Sequence, residues 1–308
     1  MSSTGTVQPR AAQPRAARLK ADLLLLTTAV VWGSGFIAGR VGAQHLDPWV
    51  YNGLRFLVGA LALLPLALKR PGGFSKPELW GGLLAGLLLM VGSNLQQVGL
   101  ALTTAGQAGF VTGLYVVLVP LFQALLLRRW PPWNAWIASL LAAIGLFLLS
   151  GVGRLTLSVG DAWELGGAVL WAVHILVIGH FAPKVDVLRL ALVQNAVCGV
   201  ASAAVGFAVA PQPLAGLDVA GWTILYNGIL SVAVGFTLQA IGQRQAPATD
   251  SAVILSLEAV FAALFGWLIL SEALAAPQVV GCALMLAGML LAQVRGVRRA
   301  ARNVMSET

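Results

Sequence analysis

The sequence predicts an all-α membrane protein of ten transmembrane helices, arranged as two inverted five-helix repeats around a central cavity. Three observations predict it. Of 308 residues, 58% are hydrophobic and 10% charged, with a mean hydropathy of +0.86, whereas a soluble domain carries about 25% charged residues. Ten mainly apolar stretches follow one another, each near the ~20 residues that cross a bilayer as a helix. The second half of the chain also falls on the first in two ungapped registers.

The first span, 21–42, follows a tail (1–20) that holds Arg10, Arg15, Arg18 and Lys20. A basic leader before an apolar run suggests a secretory signal. This run is too long for one and lacks a small-residue cleavage site, so it reads as a retained span. The second span, 48–68, opens at Asp47-Pro48 and closes before Arg70-Pro71-Gly72-Gly73. The third and fourth, 78–100 and 104–127, lead to Trp130-Pro131-Pro132, and the fifth covers 133–151. The sixth, 162–181, and seventh, 187–210, precede Pro211-Gln212-Pro213. The eighth to tenth cover 219–242, 248–270 and 275–294, before a tail, 295–308. Proline and glycine breaks of this kind punctuate membrane interfaces, and each is too short to hold a soluble domain.

The net charge of +8 is a topology signal, because all 19 Lys and Arg except Arg40, Arg55 and Arg154 fall on one side if the spans alternate. The four tail residues, Lys69, Arg70, Lys76, Arg128, Arg129, Lys184, Arg189, Arg244 and the C-terminal Arg295, Arg298, Arg299 and Arg302 make up that side. The positive-inside rule then puts both termini in the cytoplasm, in a multi-pass protein of a cell inner membrane. Charges spread over helix ends in this way are not a nucleic-acid footprint. Cys198 and Cys282 lie in apolar runs without metal-ligand spacing and read as free thiols. There is no P-loop, redox motif or pair of catalytic carboxylates, so no cofactor, ATP hydrolysis or enzyme chemistry is expected.

An offset of 139 places Ala29-Val30-Val31-Trp32 on Ala168-Val169-Leu170-Trp171. An offset of 143 places Gly92, Leu95-Gln96 and Gly99 on Gly235, Leu238-Gln239 and Gly242. It also places Leu114, Val117, Leu121-Phe122 and Gly145 on Leu257, Val260, Leu264-Phe265 and Gly288. The change of four residues is absorbed near Pro211–Asp218, in a loop, where insertions cost little. Single apolar helices align by chance, but five in one order do not readily do so. The repeats, 21–151 and 162–294, each hold an odd number of spans, so the second enters the membrane inverted. Transporters are built this way, with the solute site near the midplane between repeats.

The stretch Leu257 to Trp267 with Glu272, and Gly281 to Leu291 after it, resembles the ninth and tenth helices of EamA-type members of the drug/metabolite transporter superfamily. Gly109 to Pro120, Trp32-Gly33-Ser34 with Arg40, and Leu54-Arg55-Phe56 are also similar to that family. The resemblance spans nearly all of 21–295 and implies an exporter or exchanger of a metabolite. Amino acids, sugars, nucleosides and drugs all fall within that range. The family usually has proline where this chain has Ala259, which puts a proline-dependent bend of the ninth helix in doubt.

Glu258 lies about ten residues from either end of the ninth span, where a carboxylate costs about 2.5–3.5 kcal/mol on insertion scales. Either it faces a watery cavity and meets a cationic group of the solute or a proton, or it is protonated and packs. Its counterpart under the offset of 143 is Tyr115, so the two are expected to approach one another. His174, one turn beyond Trp171, corresponds to Gly35, and either titrates in a proton-coupled step or is a hydrogen-bonded structural group. Trp32 and Trp171, in matched positions, are candidate cavity walls or ordinary packing aromatics.

Ser93, Asn94 and Gln97 share a face of the third helix, with Gln239 and Thr237 in the matching part of the eighth. Asn94, Gln97 and Gln239 are candidate cavity groups, against the alternative of interhelical hydrogen bonds. Arg55, roughly 10 Å into the second span, either snorkels to the interface, pairs with a carboxylate, or meets a substrate carboxylate; its length favours snorkelling. The site as a whole is expected to bind a small-molecule solute, with protons as a second partner. An intramembrane enzyme or a scaffold subunit are the rival classes. An amine-bearing, partly apolar solute such as an amino acid suits a carboxylate with aromatic walls.

Overall fold

A computed structural model describes residues 15–102, 105–150, 158–270 and 274–306, with side chains left out of account at 15, 105–107, 270 and 293–306. The described chain is helical, without strands. In order it forms α1 (Arg15–His45), α2 (Pro48–Leu68), α3 (Lys76–Leu102), α4 (Ala105–Gly113), α5 (Tyr115–Leu125), α6 (Trp133–Leu149) and α7 (Val159–Phe181). A 3₁₀ turn, Ala182–Lys184, leads to α8 (Val187–Val209) and α9 (Leu217–Tyr226). A π-helical segment, Asn227–Gly235, then runs into α10 (Phe236–Gln243), and α11 (Ala248–Leu255), α12 (Glu258–Leu270) and α13 (Ala276–Ser306) follow.

Among the described residues eight helical stretches are long and apolar enough to cross a membrane, with α4–α5 and α11–α12 each counted once. Trp133–Leu149 and Ala276–Ala292 are shorter apolar helices. Two boundaries differ from expectation. The first helix starts at Arg15, inside the expected tail, and the last continues to Ser306. Each extends a helix already nucleated, and adding a turn costs less than starting one.

The first of the breaks seen in the sequence is a cap, and two further caps lie at positions the sequence did not single out. Asp47 accepts hydrogen bonds from the Trp49 and Val50 amides, with Pro48 at the first helical position of α2, where its missing N–H is no loss. Ser158 and Asp161 form a capping box on α7, and Asp186 caps α8. Each supplies acceptors to amides that a helix start leaves unpaired.

α2 packs against α8, α3 against α7 and α8, α6 against α13, and α1 against α12, α10 and the π segment. Small residues permit these contacts. A Cβ on Gly145 of α6 would lie 2.6 Å from the Gly281 carbonyl oxygen, and one on Gly281 would lie 2.5 Å from that of Gly145, so the two backbones touch. Gly33 admits the start of α12 in the same way, its Cβ position lying 2.8 Å from the Glu258 carbonyl.

Charge gathers at one end of the bundle. Arg189 donates to the carbonyls of Arg70, Pro71, Gly72 and Gly73 and lies 3.9 Å from Glu78. Arg70 pairs with Asp186 at 3.5 Å, and Arg18 pairs with Asp22 and Asp250. Arg10, Arg154 and Glu272 lie outside the described residues.

Candidate functional site

The fourth and ninth expected spans are not continuous helices. At Leu114 the ladder tightens to three-residue spacing, with Leu114 N donating to Val111 O and Val117 N to Leu114 O. At Ser256–Leu257 the same happens, with Leu257 N donating to Ile254 O and Ala259 N to Ser256 O. Pro120 follows the first break and has no amide to donate. The second forms without proline, with Ala259 where the family usually has one. There the Ser256 hydroxyl bonds the Val253 carbonyl and competes with the backbone ladder. Tyr115 and Glu258 are the first residues after the two breaks.

A cavity of about 100 Å³ opens at these breaks. Glu258, Tyr115, Trp32, Trp171, Gln97, Gln239 and Arg55 all line it. The Tyr115 hydroxyl donates to Glu258 Oε1 at 3.3 Å. Trp171 stacks on Phe236 at 6.1 Å with an interplanar angle of 8°, and Trp32 tilts against Phe236 at 5.1 Å. The two tryptophans differ in their polar edge. Trp32 Nε1 donates to the Ser231 carbonyl at 3.0 Å, whereas Trp171 Nε1 and Gln239 Oε1 are buried without a hydrogen-bond partner among the described residues. Buried polar atoms of that kind call for water or a ligand. Gln97 donates to the Gly39 carbonyl at 3.3 Å.

Arg55 does not snorkel. Its Nε donates to Asn52 Oδ1 at 2.8 Å and its guanidinium sits 5.4 and 5.2 Å from the Tyr51 and Phe56 ring centres. Cation–π attraction and a buried amide hold it inward. No carboxylate pairs with it among the described residues, so its charge faces the cavity without an anion.

Two expected cavity residues sit elsewhere. Asn94 is absent from the cavity wall: it accepts from Asn52 Nδ2 at 3.0 Å and donates to Ser202 Oγ at 2.9 Å and to the Met90 carbonyl. It ties α2, α3 and α8 together and fixes the amide that orients Arg55. His174 lies a layer behind the wall, fully buried, with Nε2 3.1 Å from Gln194 Oε1 and its ring edge-on to Trp171 and Phe236. It stands three positions beyond Trp171 on α7, and its ring packs against Trp171 rather than into the cavity.

Sequence reasoning overlooked Gln96, Thr112, Asn227 and Ser231 in the wall. Gln96 was visible as the counterpart of Gln239 in the 143 register. Asn227 and Ser231 are turned inward by the π segment, whose wider turn shifts the helical face and has no local sequence mark. Toward the Arg18 end, Ala21, Leu25, Ala252, Ile254 and Leu255 pack with Tyr115 into a buried apolar cluster.

A helical bundle whose broken helices surround a polar and aromatic cavity is the architecture of a membrane transporter. The chain belongs to the EamA-like transporter family, whose model matches residues 19–151 and again 158–293. A protein of Archaeoglobus fulgidus described as an uncharacterized transporter is 32% identical over 90% of this chain and 87% of its own length. The threonine/homoserine exporter RhtA of Salmonella typhimurium is 29% identical over 83% of this chain and 87% of its own. A protein of Escherichia coli described as the uncharacterized inner membrane transporter YedA is 25% identical over 68% of this chain and 70% of its own length. A crystal structure 21% identical in sequence has a TM-score of 0.75, covering 90% of this chain and 98% of that one, and shares the fold.

Proposed function

We propose that this chain is a secondary transporter that exports or exchanges a small amino acid, by alternating access to the cavity between two inverted five-span halves, 21–151 and 162–294. The observation that carries this is the presence of Glu258 and Arg55 in the wall of one cavity. A zwitterion needs an anion for its ammonium and a cation for its carboxylate, and in a site that excludes water both contacts gain strength. Trp171 Nε1 and Gln239 Oε1 add an unused donor and acceptor, and the aromatic rings suit the apolar remainder of the solute.

The threonine/homoserine exporter among the relatives supports an amino acid over a sugar, nucleoside or drug. A cavity lined by unpartnered polar atoms argues against a scaffold, whose interior would be sealed. The family's transporters argue against an intramembrane enzyme. The ten-span inverted arrangement is supported by the matched breaks before Tyr115 and Glu258. The Lys and Arg at the end that holds Arg18, Arg70 and Arg189 support a cytoplasmic position for both termini. Energy comes from the solute gradient or from protons.

The test is counterflow in proteoliposomes, with a panel of labelled amino acids that includes threonine and homoserine, against sugars, nucleosides and the decarboxylated amines. Accumulation of at least one amino acid, lost in Glu258→Gln, is expected. Uptake of sugars or nucleosides alone would overturn the assignment.

A further inference from the structure

We propose that Glu164 is a second proton-binding carboxyl of this transporter, held by Thr112 at the end of the cavity remote from Arg18. The proposal rests on the reading of the cavity as a solute path and adds a titrating group to it. Glu164 lies in the second turn of α7 with 0% exposure. The Thr112 hydroxyl donates to its Oε2, and the Gln96 amide donates to Thr112 Oγ1 at 3.5 Å. Gln96 and Thr112 both line the cavity, so a hydrogen-bonded chain runs from the cavity wall to the carboxyl.

Glu164 Oε1 has no hydrogen-bond partner, and no Lys or Arg pairs with the carboxyl, among the described residues. A bare carboxylate at such a place is costly, and a proton removes the charge. Among the described residues the groups around it do not supply a cation: α3 presents Gly99 and Gln96, α4 presents Thr112, and α7 itself presents Asp161, a further acid. Room for the carboxyl is built in, since a Cβ at Gly99 would come within 2.8 Å of Oε1.

The two halves differ here. The 139 register sets Leu25 opposite Glu164, and the 143 register sets Leu255 opposite Thr112 and Gly242 opposite Gly99. In the structure Leu25 packs on Gly242 and shares an apolar cluster with Leu255. The same three-way contact between the halves, each with a glycine, is therefore apolar where the first half supplies Leu25 and carries an acid and a hydroxyl where the second half supplies Glu164. Packing alone is met by the leucines, so the carboxyl answers to something else.

Position gives it a use. Thr112 and Tyr115 are one turn apart on either side of the break at Leu114, so one bent segment donates to Glu164 and to Glu258. Movement at that break changes the environment of both carboxyls together. At Glu164 the step is carboxylate plus an aqueous proton giving the carboxylic acid, and the reverse on release.

Infrared difference spectroscopy of the full chain in lipid, titrated with acid and base, uses the proton itself as the probe. We expect a carboxylic-acid C=O band that fades as pH rises, is lost in Glu164→Gln and persists in Glu258→Gln. In Thr112→Val it should move to higher frequency, as a lost hydrogen bond requires, and that variant serves if Glu164→Gln does not fold. A difference spectrum unchanged in Glu164→Gln, or a band unmoved in Thr112→Val, overturns the proposal. No solute enters the measurement, so it stands or falls apart from amino-acid flux through Glu258.

Discussion

Tyr115 and Glu258, 143 residues apart in sequence, meet through a 3.3 Å hydrogen bond from the tyrosine hydroxyl to the carboxyl. Each is the first residue beyond a break in its span, and each comes from a different half of the chain. In a family whose frame is duplicated, an acid facing a phenol gives the cavity its polarity, and the effect of removing each group is calculable in direction.

Glu258→Gln keeps a polar side chain of the same size and can still accept from Tyr115, so folded yield should stay near that of the parent. A hydrogen bond to a charged group is worth about 1.5–3 kcal/mol, so amino-acid counterflow should fall roughly 10- to 100-fold. Size-exclusion recovery alongside flux separates the two effects.

Arg55→Gln should discriminate by solute. It removes the cation but leaves the Asn52 side chain a neighbour, and a zwitterionic amino acid should lose affinity by roughly 10-fold or more. The corresponding amine, which has no carboxylate, should be affected much less. Equal losses for both would show that Arg55 does not meet the carboxylate.

Asn94→Ala should behave as a structural lesion. It leaves Asn52 Nδ2 and Ser202 Oγ with one partner fewer in a buried place, which costs about 1–3 kcal/mol. Thermal unfolding of the purified protein should shift down. Its flux should fall with Arg55 misplacement, and apparent affinity should suffer more for the amino acid than for its amine.

His174→Ala should lower thermal stability through the cavity it leaves behind Trp171 and Phe236 while the pH profile of transport keeps its shape. A flattened profile would return the histidine to the transport machinery.

Gly33→Ala should damage assembly. The new methyl would sit 2.6 Å from Phe261 Cβ and 2.8 Å from the Glu258 carbonyl, where backbone cannot yield, so α1 and α12 separate. Folded yield should drop sharply, whereas Gly109→Ala, with nothing among the described residues within 4 Å of its Cβ position, should be tolerated.

The sequence carried much of this. Asp47-Pro48 marked a span start because proline and its neighbours punctuate helices locally, and the matched registers paired Trp32 with Trp171 and Tyr115 with Glu258. Direction was harder. Arg55 turns inward because Tyr51, Phe56 and Asn52 flank it, and one-dimensional spacing does not weigh an aromatic cradle against a distant interface. Asn94 and Gln97 share a helical face, yet three residues separate a group that meets α2 and α8 from one that meets the cavity. Glu164 carries no sequence mark of its role: its burial depends on Gly99, far away in sequence.

Counterflow of a labelled amino acid into proteoliposomes, compared between the parent chain, Glu258→Gln and Arg55→Gln at equal folded content, tests the central claim most directly. Robust accumulation by the parent, with both variants strongly reduced, is the predicted result. Undiminished accumulation in both variants would contradict a zwitterion site between Glu258 and Arg55.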